Sequence, residues 1–219
     1  MKSSTLYFLQ QLEKNNNRPW FNEHKNWYTE AHEDVISFVE ELISEISKFD
    51  QDIEKVDAKK SLFRIYRDTR FSLNKQPYKT NFGATLRFGK TSKKAGYYLH
   101  IEPGKSFIGG GLYMPDSENL KRIRKEITTE KETFIGILEN SNFRNYFRGL
   151  SVEGKLKRVP NGFDKEDPMA EYLKLKHFIV SHPVSDEALL DSNAAKNFAE
   201  IYRSIQPLNR FLNNALIVD

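Results

Sequence analysis

The chain has 219 residues, with 34 Lys and Arg against 30 Asp and Glu and no cysteine at all. Disulfides, Cys-ligated zinc and thiol nucleophiles are therefore excluded, and a net charge of +4 diluted over so many charged groups does not by itself favour a nucleic-acid partner. No run approaches the roughly 20 apolar residues that cross a bilayer, and residues 1–20 lack the apolar stretch of a secretory signal. The expectation is a cytoplasmic protein with no membrane partner, whose 16 Phe, 10 Tyr and 2 Trp build a core without covalent staples.

In chain order, Ser3 or Ser4 can cap a short helix carrying Leu6, Leu9 and Leu12, which the run Asn15 to Asn17 ends. Pro19 suits the first turn of the next segment. From about Asn22 to Lys48, Val35, Phe38, Val39, Leu42, Ile43 and Ile46 recur at spacings of three and four, the pattern of one long amphipathic helix. Near residue 61 the period changes to two. Segments 61–67, 82–88, 97–102 and 106–113 alternate, with turn signals at Gly89 to Gly96 and at Pro103-Gly104, which predicts an antiparallel sheet of about four strands.

Beyond the sheet, Asp116 or Ser117 caps a helix to Ile127, and Thr129 opens another through Glu139. Residues 150–158 read as a small hairpin turning at Glu153-Gly154, Pro168 to about Lys176 as a helix, and 177–181 as a short strand. A final helix runs from Ser192 to Leu216, with Pro207 expected to kink it. Helices, then strands, then helices indicate an α+β fold, with long N- and C-terminal helices packing the sheet and one domain over residues 1–219.

Alternate residues of a strand face opposite ways. Phe63, Ile65, Phe82, Ala84, Leu86, Phe88, Tyr97, Leu99 and Ile101 fall on the face that must meet the helices. Arg64, Tyr66, Thr85, Arg87, Tyr98, His100 and Glu102 fall on the other, where Gly109 and Gly111, or Gly110, join them according to a register that the pattern leaves open. Glycine in a strand costs roughly 0.5–1 kcal/mol relative to Ala, so a run of three implies that another backbone or a ligand comes close. A solvated sheet surface is one reading of this face, and a glycine-floored polar pocket is the other.

The segment Arg64 to Lys79, RIYRDTRFSLNKQPYK, gathers Arg64, Arg67, Arg70, Lys75 and Lys79 around one acid, Asp68. Such forks hold phosphate or carboxylate at two points, or else brace one another in an internal ion-pair network. The run R-x-x-R-D-x-R-F-x-x-N-K-x-P-Y from Arg64 to Tyr78 resembles the signature of a widespread bacterial family, with fungal members, named domain of unknown function 2461. YYLHIEPGKSFIGGG (Tyr97 to Gly111) and LKRVPNGFDKED (Leu156 to Asp167) are similar to that family as well, so the resemblance covers nearly the whole chain. It implies a single domain and carries no activity; position 74 is Asn here, where Asp is equally usual in the family.

The leading functional expectation is a pocket for an anionic small molecule, binding through Arg64, Arg67, Arg70, Lys75, Tyr78, Tyr98 and Gly109 to Gly111, with Gly110 among them. In an enzyme, His100, Glu102 or Asp68 would carry the proton chemistry. A nucleic-acid-associated module, not favoured, and a scaffold whose signature residues hold the fold are the alternatives. His100 and Glu102 alone fall short of the three or four ligands of a metal site, and no cofactor motif stands out. His24 and His32 are expected as surface or capping residues, His177 and His182 in ordinary packing, and the basic clusters Lys90-Lys93-Lys94 and Lys155-Lys157-Arg158 on solvated surface, unless the hairpin carries the second toward the anion site.

Overall fold

The computed structural model describes residues 1–87 and 93–217, so Phe88, Lys90 and the first half of the expected Gly89 to Gly96 turn lie outside the described residues. Helix α1 spans Ser3–Lys14, α2 Arg18–Glu23, α3 Lys25–Ser47 and the single turn α4 Ala58–Ser61. The one long helix expected from Asn22 thus begins later, because Asn17 accepts from the Trp20 amide and starts a separate short helix with Pro19 in its first turn. That helix stops at His24, whose backbone (φ −103°, ψ 25°) leaves the helical range before α3 begins.

Strands β1 (Phe82–Leu86), β2 (Gly96–Ile101) and β3 (Phe107–Leu112) come next. After them come helices α5 (Ser117–Thr129), α6 (Lys131–Glu139), α7 (Ser141–Arg144) and α8 (Ala170–Leu173), strand β4 (Phe178–Pro183), then α9 (Asp186–Leu190) and α10 (Ala194–Asn214). The strands form one antiparallel sheet in the order β1-β2-β3-β4, and the fold is α+β. Helix α10 continues through Pro207.

Two expected pairings are corrected. Residues 61–67 are not a strand of this sheet; β4 is its fourth strand. Leu62 makes one bridge to Ala84, after which the chain turns away and pairs with residues 77–79: the Lys79 amide donates to Ile65 O (2.8 Å) and the Arg67 amide to Pro77 O (2.9 Å). The result is a two-stranded arm. Residues 150–158 are likewise no hairpin. Lys155 N closes a turn on Val152 O, while Ser151 and Leu156 donate outward to Ile179 O and Lys174 O, so the two limbs bond to other segments and not to each other.

The chain divides into two compact units. The first is Met1–Lys90, Tyr98–Ile108 and Pro183–Glu200. Its α1 is pinned at the start by Asp34, which accepts from the Thr5 hydroxyl (2.6 Å) and the Lys2 amide (2.9 Å). Phe8 and Tyr28 meet the ring of Phe82, and Phe38 meets Phe198 edge-on. On the strands, Phe82, Ala84, Leu86, Leu99 and Ile101 are buried, and Thr85, Arg87, Tyr98, His100 and Glu102 are half-exposed, as the alternation requires. Full burial of each large apolar residue is worth about 1.5–3 kcal/mol. Phe63 departs from its expected face. It is 44% exposed while Leu62 and Ile65 are buried, because pairing Leu62 with Ala84 puts Leu62 on the core side and Phe63 opposite.

The second unit is Thr91–Tyr97, Gly109–His182 and Ile201–Asp219. Tyr97 packs edge-on against Tyr202, Phe134 meets Phe211 and Tyr172, and Asn213 clamps both backbone groups of Ala95. Glu171 accepts from Lys155 and Lys174, whose ammonium groups pull its carboxyl down to about 2. The register of β3 is settled by Gly110: a Cβ there would lie 2.8 Å from Gly96 O and 2.9 Å from Ile205 Cγ2. Ile108, Gly110 and Leu112 therefore take the buried face. Gly109 and Gly111 look the other way, and a Cβ on either would collide with the β4 carbonyls of Val180 and Phe178. Backbone, not an open floor, lies against them.

Gly111 also holds φ at +110°, so Gly111→Ala should lower unfolding free energy by about 2 kcal/mol or more. Gly104 shares a positive φ of 71° but has open space around its Cβ position, so Gly104→Ala should cost only about 1 kcal/mol. Urea denaturation of the two variants checks the contrast.

Candidate functional site

Three outward-facing positions of β2 and its continuation form a hydrogen-bonded chain in the first unit. Same-face residues on a strand stand about 7 Å apart, a gap that Tyr, His and Glu are long enough to bridge. The Tyr98 hydroxyl lies 3.1 Å from His100 Nδ1, and His100 Nε2 lies 3.0 Å from Glu102 Oε2. The His100 and Glu102 side chains are only 14% and 20% exposed. A carboxylate oxygen accepts, so Nε2 carries the hydrogen, and Nδ1 is left to accept from Tyr98. Burial pushes the Tyr98 phenol above its usual range, which keeps it a donor.

Each member of the chain is braced. Glu102 sits at the start of a tight turn in which its amide donates to Ser106 Oγ (3.0 Å) and the same hydroxyl donates to its carbonyl (2.8 Å). Lys105 Nζ stands 3.5 Å from the second carboxylate oxygen. Phe107 lies flat on the imidazole, with centroids 4.7 Å apart and planes 17° apart, and fixes the ring plane. At the other end, a Cβ on Gly83 would lie 2.8 Å from the Tyr98 oxygen and 3.2 Å from Phe63, so glycine there makes room for the phenol.

Phe63 packs on Tyr98, and Lys79 Nζ lies 5.3 Å from the Phe63 ring centroid. Burial lowers the Lys79 pKa, and the nearby Arg64 charge lowers it further. Arg87 on the same sheet face is also held below its ordinary value by burial.

The remaining sequence candidates go elsewhere. Asp68 is bidentate with Arg70 (3.0 and 2.7 Å), and that pairing pulls its carboxyl below the usual range. Arg67 donates to Gln76 O and Lys75 to Thr69 O, so these cations fasten the arm to itself. Tyr78 is 3% exposed, stacks on Phe21 at 4.0 Å and is gripped through its backbone by Asn16; it roots the arm and presents no binding surface. His24 stacks on Trp20, His32 is half-buried beside Phe82 with its pKa lowered by burial, His177 accepts from the Met114 amide, and His182 bonds to Tyr146 O. Sequence reasoning missed Phe107, Ser106, Gly83 and the outward Phe63. The turn signal at Pro103-Gly104 pointed to Ser106, but the others depend on non-local register. In the second unit, Lys157, Arg158, Asn161, Phe163, Lys165 and Lys174 line a concavity of about 760 Å³, so part of the basic cluster expected on solvated surface edges a cleft.

The tautomer assignment has a direct check. Long-range proton–nitrogen spectra should show His100 as the Nε2–H form in the wild type. Tyr98→Phe should leave that tautomer in place, shift the Nδ1 resonance and cost about 1 kcal/mol of stability. Glu102→Gln should abolish the tautomer preference.

Comparison with curated proteins and with solved structures finds no match. A match to the family described as "Conserved hypothetical protein (DUF2461)" runs over residues 4–211, nearly the whole chain and including the arm, the β2–β3 segment and the 156–167 loop that carried the resemblance. The chain belongs to the DUF2461 family.

Proposed function

We propose that this is a cytoplasmic protein that binds a small anionic molecule, carrying phosphate or carboxylate, at the Tyr98 end of the Tyr98–His100–Glu102 chain. The single observation that carries the reading is the chain itself: an imidazole bonded at both nitrogens, one side to a carboxylate and the other to a phenol, with Phe63 packed on the phenol ring and Lys79 over Phe63. A proton arriving at His100 Nδ1 reverses the bond to Tyr98, because Nδ1–H then donates to the phenol oxygen. The Tyr98 hydrogen is freed to donate to a ligand oxygen, and the imidazolium adds a positive charge. Glu102 and Lys105 hold the far end in place. The same relay run in reverse would let Tyr98 take a proton from a bound substrate, which is the form an enzymatic activity would take. The absence of cysteine favours the cytoplasmic setting.

A second reading applies to the arm alone. Arg67, Arg70 and Lys75 bond within residues 67–76, which favours a place in the arm for them over contacts to a small anion at the Tyr98 end.

The test is a thermal-shift screen of phosphorylated and carboxylated metabolites. A ligand at about 100 times its Kd should raise Tm by roughly 5–10 °C in the wild type and leave Lys79→Ala and His100→Gln unmoved, although both variants fold. A panel that stabilises no protein, or one that stabilises His100→Gln as well as the wild type, would sink the proposal.

A further inference from the structure

Among the described residues, the most exposed large apolar side chains stand together at the tip of the arm. Phe71 is 95% exposed and Leu73 103%, well above Ile217 at 68% or Met114 at 67%. The tip that carries them is built, not loose. Its root is the buried Tyr78 stacked on Phe21, with a Tyr66–Tyr78 bridge above it. Beyond the root, Asp68 grips Arg70, Lys75 reaches back to Thr69 O, Arg67 bonds Gln76 O, and Asn74 accepts from the Gln76 amide. Ser72, between the two apolar residues, lies 3.5 Å from Arg67. That contact turns position 72 toward the arm and leaves 71 and 73 facing out.

Three cations, Arg67, Arg70 and Lys75, stand at this tip, and Asp68 is the sole acid between residues 64 and 79. We infer that the tip is a docking element that inserts Phe71 and Leu73 into the interfacial layer of an anionic lipid membrane while the surrounding cations meet lipid phosphates. Charge complementarity selects an anionic partner. Size selects lipid over protein: two apolar side chains cannot furnish the roughly 800 Å² per partner of a stable protein interface, whereas shallow apolar insertion combined with a basic patch is the two-signal arrangement that holds a protein reversibly at a bilayer surface. Such docking is peripheral and needs no spanning segment; no helix of the described residues is long and apolar enough to cross a membrane. The inference rests on residues other than those of the Tyr98–His100–Glu102 chain and stands or falls separately from it.

The experiment is vesicle co-sedimentation of the full chain, comparing pure phosphatidylcholine with mixtures containing about 30 mol% phosphatidylserine. The wild type should pellet with the anionic vesicles and not with the neutral ones. The double variant Phe71→Ser/Leu73→Ser, altered only at fully exposed positions, should keep its melting temperature and bind at least about fivefold less. Because the chain has no cysteine, Leu73→Cys accepts a single environment-sensitive fluorophore, whose emission should shift to the blue on adding anionic vesicles. Failure to pellet, equal pelleting of the double variant, or emission that does not move would each overturn the inference. So would concentration-dependent dimerisation that the double variant loses while vesicles are ignored, an outcome that would assign the tip to a second copy of the chain.

Discussion

The alternation of burial along β2 is the constraint on which the candidate site depends. Leu99 and Ile101 are completely buried, so a slip of one residue would expose both and drive His100 and Glu102 into the core. Strand register is strongly specified wherever one face is buried, and here the apolar set decides where three polar side chains stand. Once Tyr98, His100 and Glu102 share a face at two-residue spacing, mutual hydrogen bonding satisfies polar atoms that their half-burial would otherwise leave short of partners. The same geometry that protects the core thus assembles the hydrogen-bonded chain.

The arm solves a different problem. Five like charges within sixteen residues repel one another, and one carboxylate cannot neutralise them. The chain instead gives Arg67 and Lys75 backbone carbonyls to bind, and Asp68 takes Arg70 in a bidentate pair. These exposed pairs are screened and individually weak, so the arm's position is set by its root, where Tyr78 is buried against Phe21 and Asn16 bonds both of its backbone groups. Arg64 and Lys79, at the two ends of the segment, lie nearest that root and sit by Phe63 and the sheet face. One sequence motif therefore divides into a self-fastened tip and a cationic base.

The elements legible in the sequence are those that local forces decide. Helix α3 and strands β1 to β3 could be read because burial repeats along each segment at its own period. The segment 61–67 misleads because Leu62, Phe63, Ile65 and Tyr66 are compatible with either alternation; what decides is pairing with Ala84 and then with residues 77–79, a non-local choice. The 177–181 strand is legible, but its place in the sheet is not, for the same reason. Gly109 to Gly111 announce a close approach without saying of what, and the β4 backbone supplies it. Of the site, the polar triplet is readable from spacing alone, whereas Phe107 requires the β3 register and Phe63 the register of a bridge.

The two ends of the hydrogen-bonded chain are not equivalent. Replacing a buried polar pair with apolar residues is often neutral or stabilising, so a network that only filled space would have little reason to be ionic. Here the Glu102 end is closed: a turn holds its backbone, Lys105 faces its carboxylate, and Ser106 bonds both its amide and carbonyl. The Tyr98 end is instead bordered by a glycine and an exposed Phe63, over which Lys79 sits. The carboxylate is anchored by its own turn, so the asymmetry of the chain lies in how its two ends are held.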